Sequence, residues 1–357
     1  MQRVYGDDPV SPGGDGDRGE MMEKVGIIGA GSWGTALAVV LSKNGHPVTI
    51  WSIMESEVAM LQEHREHLDK LPGVKLADTI TFTTDLGKTV KECETLILAV
   101  PSVFTRSTAK KMEPYVKEGQ IIVCVGKGIE ENTMMPLADI VEEEIPQAKV
   151  AVMCGPSHAE EVGIGLPTTV VAGAREQVVA EHVQDLFMNE VFRVYTSPDV
   201  LGMELGGSLK NVIALAAGMA DGLGYGDNTK AALITRGIAE ITRLAVAMGA
   251  KVETLSGLTG IGDLIVTCES KHSRNRKAGM LMGQGYTMEQ ATAEVKMVVE
   301  GIYSAKAAMA LAQKYGVEIP IIEAVNRVLF ENRPVREEVM ALMQRDKRVE
   351  NQSLHWE

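Results

Sequence analysis

The chain has 357 residues, room for two ordinary domains, and its 45% hydrophobic and 23% charged residues are a globular balance. A formal net charge of −13 excludes a nonspecific nucleic-acid binder, which needs surplus Lys and Arg, and disfavours docking on anionic lipid. With 36 glycines and only 4% aromatic residues, the composition suits α/β architecture with close backbone packing better than a β-sandwich.

The chain opens on "MQRVYGDDPVSPGGDGDRGE", rich in Gly, Pro and Asp, with no apolar run behind a basic start. This is no secretory signal, and residues 1–22 are expected to form a disordered extension, with Met21 and Met22 as alternative starts. The uncharged run from Val25 to Ser42 reaches membrane length, but its four glycines make a poor lipid-facing helix, so no membrane insertion is expected. "KVGIIGAGSWGTALAVVLSKNG" reads instead as a strand, a turn and a helix ending near Gly45.

Gly29-Ala30-Gly31-Ser32-Trp33-Gly34 matches G-x-G-x-x-G in that strand–turn–helix context. Gly29 permits the tight turn, Gly31 admits a pyrophosphate to the backbone, and Gly34 lets the helix pack on its strand. The helix N-terminus offers free N–H groups to the phosphates. "HPVTIWSI" is the second strand, and its end reports on the adenosine ribose. An acid there favours NAD and an arginine NADP. "WSIM", residues 51–54, has neither, and Ser52 could reach either group. NAD or NADP is therefore expected, with NADP slightly favoured.

"MESEVAMLQEHREHL" has helical spacing. His64 and His67 are read on its solvated face, and no metal site is expected. Strands follow at "TITFTT", "ETLILAVP", "QIIVCVG" and "KVAVMCG", with helical stretches between most of them. Apolar strands alternating with helices indicate a doubly wound parallel sheet, which "TTVVAG" and "FRVYTS" extend at its far edge. From Pro198 onward helical periodicity replaces strands. The expected fold is α/β: a Rossmann-type dinucleotide-binding domain over residues 23–200, then an all-helical domain over 201–350. Cys93, Cys124, Cys154 and Cys268 are scattered without a CxxC pair, consistent with free thiols in a reducing, cytoplasmic setting.

"LGGSLKNVIALAAG", residues 205–218, carries one charge, Lys210. Taken alone, that lysine snorkels to water. Four islands change the reading: "AVPS" after a buried strand, "GKGIE" with Lys127 between glycines, "CGPSHAEE" with Gly155 and Ser157, and "LTGIGDLIVTCESKHSRNR". The last brings together Asp263, Thr267, Arg274 and Asn275. Each alone is an ordinary turn between elements.

Together with "GAGSWGTA" and "VVEG", and in this order, the islands resemble bacterial glycerol-3-phosphate dehydrogenases from about Lys24 to about Arg345. The resemblance implies NAD(P)H-dependent reduction of dihydroxyacetone phosphate to sn-glycerol 3-phosphate, which supplies the phospholipid backbone. It also implies roles. Ser32 and Trp33 lie by the cofactor pyrophosphate, and Lys127 meets substrate near the nicotinamide. Gly155, Ser157 and Ala159 line the crevice, and Lys210 is the proton donor and acceptor. Asp263, Ser273, Arg274 and Asn275 contact substrate, with Arg274 also reaching the cofactor. Val298 and Glu300 close on the dinucleotide. Many members of the family carry His or Arg where Ile53 stands, so this chain departs from the family at the expected 2′-phosphate contact.

A ketone reduced by hydride needs a proton from a positioned acid, and a free lysine titrates near pH 10.4, too high for the task. Apolar surroundings and a second cation, Lys127, would lower Lys210 to roughly 7–8, with Asp263 orienting it. Arg274 offers a planar fork to the phosphate. Two other readings stay open: a β-hydroxyacid dehydrogenase of the same layout, and a dinucleotide sensor without turnover. The expected partner is the small-molecule substrate, and a homodimer is left open.

Overall fold

The computed structural model describes residues 22–350, so the extension expected over residues 1–22 lies outside the described residues except for Met22. The N-terminal half runs β1 (Val25–Ile28), α1 (Ser32–Lys43), β2 (Val48–Trp51), α2 (Glu55–His64), β3 (Glu66–His67), β4 (Leu71–Lys75) and β5 (Ile80–Thr83). It continues through α3 (Leu86–Glu92), β6 (Thr95–Leu98), α4 (Thr105–Met112), β7 (Ile121–Cys124), α5 (Leu137–Glu144) and β8 (Lys149–Cys154). Then come α6 (Ala159–Gly163), β9 (Thr168–Ala174), α7 (Gln177–Phe187) and β10 (Phe192–Ser197).

Eight strands form one sheet in the order β10-β9-β8-β7-β6-β1-β2-β5. The order reverses at β1, the switch point at which open α/β sheets hold ligands beyond their strand ends. Strands such as "VGII" and "TLIL" are buried at every position because helices cover both faces. One apolar core joins the sheet to α1 and α7, and a second lies on its opposite face.

Three details depart from the sequence reading. The sheet is not wholly parallel, because β9 runs antiparallel to β8. Between them the chain turns back at Gly155 (φ +153°) and holds only the short α6, with no helix long enough to carry a crossover. The helix of "MESEVAMLQEHREHL" stops at His64, where Arg65 adopts a left-handed conformation, and β3 and β4 form a small antiparallel hairpin beyond it. His67 is therefore not on a solvated helix face. It is buried, with its Nε2 3.0 Å from the Glu57 carboxylate.

Strands end at Ser197, and helices follow: α8 (Val200–Gly222), α9 (Asp227–Ala247), α10 (Val252–Leu255), α11 (Asp263–Glu269) and α12 (Arg274–Gly283). The last four are α13 (Met288–Val295), α14 (Glu300–Tyr315), α15 (Pro320–Glu331) and α16 (Val335–Met343). Among the described residues α8 alone is long and apolar enough to cross a membrane, yet 89% of its most apolar window is buried within the fold. It is the core helix of this half, apolar all round because neighbours surround it. Glycines let α12 lie directly on it. A Cβ on Gly279 would run into the Leu215 carbonyl, and one on Gly218 into that of Arg276. That close approach brings the N-terminus of α12 toward the middle of α8.

Candidate active site

The turn after β1 has the form a dinucleotide phosphate requires. Gly29 has φ +119°, closed to most side chains, and its N–H donates to the Trp51 carbonyl at 2.9 Å. The first turn of α1 begins at Gly31 with no side chain capping it, so its leading N–H groups stay free for an anion. A Cβ on Gly31 would meet nothing within 4 Å, an open space at the helix end. Gly34 is the opposite: its Cβ would strike the Gly29 carbonyl and lie 3.1 Å from Ile27. Ser32 and Trp33 flank the open space half-buried. These residues fit a pyrophosphate.

At the ribose end the structure corrects one expectation. Ser52 is buried and donates its hydroxyl to Glu57, so it is not free to reach a ribose. Glu57 also accepts from Lys70 and stands beside His67. Burial opposes its charge, but His67, Lys70 and Ser52 together hold the carboxyl down at about 2. Ile53 and Met54 are instead the exposed residues at the end of β2.

The chemistry lies where β7 and β8 end against α8 and α11. Lys210 is 4% exposed. Its ammonium donates to Asp263 Oδ1 and, at 2.6 Å, to the Thr267 hydroxyl, which donates in turn to the Asp263 carbonyl at 2.6 Å. Lys127, on the loop after β7, donates to Asp263 Oδ2 at 2.7 Å and to the Gly155 carbonyl at 3.1 Å. One buried carboxylate thus holds two ammoniums, one from each half of the chain. A wide π turn, Leu258–Gly262, delivers Asp263 to the first position of α11.

Burial pulls Lys210 down most strongly, Asp263 pulls it back, Lys127 adds repulsion, and the amine settles at about 8. Burial also works against the charge of Lys127, but Asp263 outweighs it and the pKa is raised. The two cations likewise hold Asp263 below its usual range despite its burial. The lysine that sequence singled out is the one of lowered pKa.

Arg274 is the first residue of α12, exposed, and no hydrogen-bond partner for its guanidinium is found among the described residues. It is a cation available to an anion. Ser273 caps the same helix by accepting from the Arg276 N–H at 3.2 Å. Asn275 is buried, donates to Asn211 at 2.9 Å and accepts from the Gly301 N–H at 2.9 Å, so its amide ties α8, α12 and α14 together. Ser157 donates to the Gly155 carbonyl at 3.0 Å, and Ala159 begins α6 beside it, buried. Glu300 accepts from the Ser102 N–H at 3.0 Å and from its hydroxyl, joining α14 to the "AVPS" loop. Val298 is half-buried just before α14.

Sequence reasoning passed over Asn211, and it included Ser102 only as the end of the "AVPS" island, without its partner Glu300. Asn211 adjoins Lys210, but an asparagine inside an apolar helix carries no mark of a partner 64 positions away. Among the described residues no group of three or more His, Cys, Asp or Glu side chains gathers to hold a metal, and the four cysteines are free and buried.

A glycine phosphate turn at the sheet's switch point, with a buried lysine pair drawn from both halves of the chain onto one carboxylate, is the arrangement of a nicotinamide-dinucleotide-linked dehydrogenase. The chain belongs to the NAD-dependent glycerol-3-phosphate dehydrogenase family. The family's N-terminal model matches residues 24–180 and its C-terminal model residues 199–340. It is 78% identical over 335 residues to the glycerol-3-phosphate dehydrogenase [NAD(P)+] of Agathobacter rectalis, spanning 94% of this chain and all of that one. Against the Bacillus subtilis enzyme of the same name it is 50% identical, over 93% of this chain and 97% of the relative. The crystal structure of glycerol-3-phosphate dehydrogenase from Coxiella burnetii superposes with a TM-score of 0.88 at 36% identity, covering 90% of this chain and 99% of that one. A ketopantoate reductase from Ralstonia eutropha, 16% identical with a TM-score of 0.59 over 90% of this chain and all of its own, shares the fold alone.

Proposed function

We propose that this chain reduces dihydroxyacetone phosphate to sn-glycerol 3-phosphate with NADH or NADPH, reversibly, and so supplies the backbone of glycerophospholipids. The observation that carries the reading is the Lys127–Asp263–Lys210 cluster, with Arg274 left free beyond it. In this reading residues 23–200 hold the dinucleotide and 201–350 the substrate. The Gly29–Gly34 turn takes the pyrophosphate, and Val298 and Glu300 close over the cofactor.

A dihydronicotinamide dinucleotide held by the Gly29–Gly34 turn would supply the hydride that the substrate carbonyl carbon accepts. Lys210 gives its proton to the developing alkoxide and takes it back in oxidation. Lys127 stabilises that oxygen electrostatically while keeping Lys210 acidic. Asp263 and Thr267 hold the Lys210 ammonium in one direction, so the proton is delivered from a fixed position. Arg274 forks the phosphate, with the N-terminus of α12 and Ser273 beside it and Asn275 setting the angle of that helix. Gly155 and Ser157 wall the crevice.

The test is oxidation of NADH and of NADPH, followed by absorbance, with dihydroxyacetone phosphate and a panel of keto acids. Turnover confined to the triose phosphate supports the reading, and turnover confined to keto acids defeats it. Residence in the cytoplasm accords with four free buried thiols. A homodimer accords with an open, mostly apolar groove of about 1840 Å³ between α9, α15 and α16, lined by Leu233, Val246, Val325 and Leu342. Sedimentation equilibrium that returns a monomer at micromolar concentration would rule it out.

A further inference from the structure

Arg106 is the second residue of α4, just beyond the "AVPS" loop, and its guanidinium reaches the last residue of "GKGIE". Its Nε and one terminal nitrogen donate to different oxygens of Glu130, both at 2.8 Å, a two-pronged pairing that fixes direction as well as distance. Glu144 and Glu143 of α5 accept from the same guanidinium, the latter at 3.3 Å, so the arginine is itself held in place. The Arg106 and Glu130 side chains are only 21% and 22% exposed. Arg106 above all, against the pull of burial, holds the Glu130 carboxyl below its ordinary range, so the pair stays charged at neutral and alkaline pH.

Residues 126–129 run on from β7 with no helix or turn, and Glu130 follows. Lys127 and Ile129 face the helical half, Lys127 on Asp263 and Ile129 within that half's core. Gly126, Gly128 and Glu130 face the chain that follows β6. A Cβ on Gly126 would lie 3.0 Å from Leu137 and 3.4 Å from the Val100 carbonyl, and one on Gly128 would strike the Ser102 side chain. This is the two-residue alternation of extended backbone, so what fixes one side aims the other. The glycines give close contact, and Glu130 adds the directional bond. Glu130 also closes a tight turn: its N–H donates to the Met135 carbonyl at 3.0 Å, and its carbonyl accepts from the Met134 N–H at 2.8 Å. Arg106 therefore fixes the turn and the segment together.

Resting on the reaction proposed above, we propose that Arg106 is a positioning residue: its fork on Glu130 fixes the Gly126–Glu130 segment and so holds the Lys127 ammonium on Asp263, beside Lys210. Arg106 acts through Lys127. The titratable groups that bear most on Lys210 are Asp263 of α11, Lys127, and the Cys154 thiol at the end of β8. Of these, Lys127 alone rides on the tethered segment. A loosened Lys127 repels Lys210 less and leaves Asp263 to it, and both changes favour the charged amine. Loss of the tether therefore raises the pH at which Lys210 gives up its proton.

The test is kcat for reduction of dihydroxyacetone phosphate by NADPH as a function of pH in wild type, Arg106→Met, Glu130→Ala and the double variant, with a thermal melt of each. In wild type the fall of kcat with pH is set by Lys210, at about 8. In Arg106→Met its midpoint should rise by at least about 0.5 pH unit, and kcat at neutral pH should drop about tenfold. The double variant should fall no further than Arg106→Met, because the two residues act through one contact. If Arg106→Met folds poorly, Glu130→Ala, which leaves the arginine on Glu143 and Glu144, carries the same measurement. A pair that only stabilised the fold would lower the melting temperature and leave the midpoint in place. A midpoint raised by less than about 0.5 pH unit in the folded single variants overturns the proposal. So does a double variant that loses more than about threefold beyond Arg106→Met. Failure of the wild type to reduce dihydroxyacetone phosphate would instead count against the reaction itself.

Discussion

At the scale of single residues, two lysines of the same chemistry divide the work because their surroundings differ. Lys127 keeps part of its side chain exposed and has its pKa raised by Asp263, whereas Lys210 is buried in α8 and its pKa is lowered by burial to about 8. That difference fixes a pH signature. Reduction needs the Lys210 ammonium, so its kcat should hold below about pH 8 and fall above it. Oxidation of glycerol 3-phosphate needs the free amine, so its kcat should rise through the same region. Lys210→Ala should cost about 10²–10⁴ in kcat in both directions while leaving dinucleotide affinity within a few-fold. Steady-state rates across pH 6–10, with fluorescence titration of NADPH, check all three, and a variant keeping a tenth of wild-type kcat defeats the assignment. Lys210 was legible because one charge in an apolar run is itself a signal. Its partner Asp263 was legible only through the motif around it, and Ser52 was misjudged because Glu57, its buried partner, looks like any surface acid of a helix.

At the scale of elements, the turn between β1 and α1 separates two uses of glycine. Gly31 faces open space with φ −69°, which any residue can adopt, whereas Gly34 is pressed onto the Gly29 carbonyl. Gly31→Ala should therefore melt within about 2 °C of wild type yet lose dinucleotide binding at least tenfold, its methyl filling the phosphate space. Gly34→Ala overpacks the strand–helix contact and should lose about 1–3 kcal/mol of stability as well. Thermal melts and NADPH titrations of both variants separate these outcomes, and equal melting temperatures would show that α1 can slide off its strand.

The end of β2 is the other informative element. With Ser52 engaged and Ile53 exposed, residues 51–54 hold neither an acid to repel a 2′-phosphate nor a cation to grip it. Both cofactors should work with less than about a hundredfold preference, under ~3 kcal/mol. Ile53→Arg should move the kcat/KM ratio toward NADPH, and a wild-type preference above a thousandfold would place the ribose contact elsewhere. The β-strands and their helices were readable from period and glycine punctuation. The hairpin of β3 and β4 was not, because two residues and a Pro-Gly pair give no alternation to read. Nor was the antiparallel β9, whose direction depends on how the chain turns at Gly155.

At the scale of the whole molecule, side chains reach across the boundary to fasten the two halves. Lys127 pairs with Asp263, Ser102 with Glu300, and Glu204 of α8 accepts from the Ala138 N–H of α5 at 2.9 Å. The first two join residues of the candidate site, and the third is a buried carboxylate away from them. Glu204 is 7% exposed, and burial raises its carboxyl from the ordinary 4.5 to about 8, against the pull of the backbone N–H groups it caps. The sign of its effect on stability follows from proton counts. Between pH 4.5 and about 8 the unfolded chain has released this proton and the folded chain still holds it, so the Glu204 contribution declines as pH rises across that window and levels off above it. Glu204→Gln keeps a carbonyl for the Ala138 N–H and has no proton to lose. Its melting temperature relative to wild type should therefore climb by several degrees between pH 5 and pH 8.5, whatever the offset at pH 5. Differential scanning calorimetry at four pH values checks this slope. A flat difference would mean that Glu204 is ionised in the folded protein throughout, and that the junction between α5 and α8 admits water to solvate it.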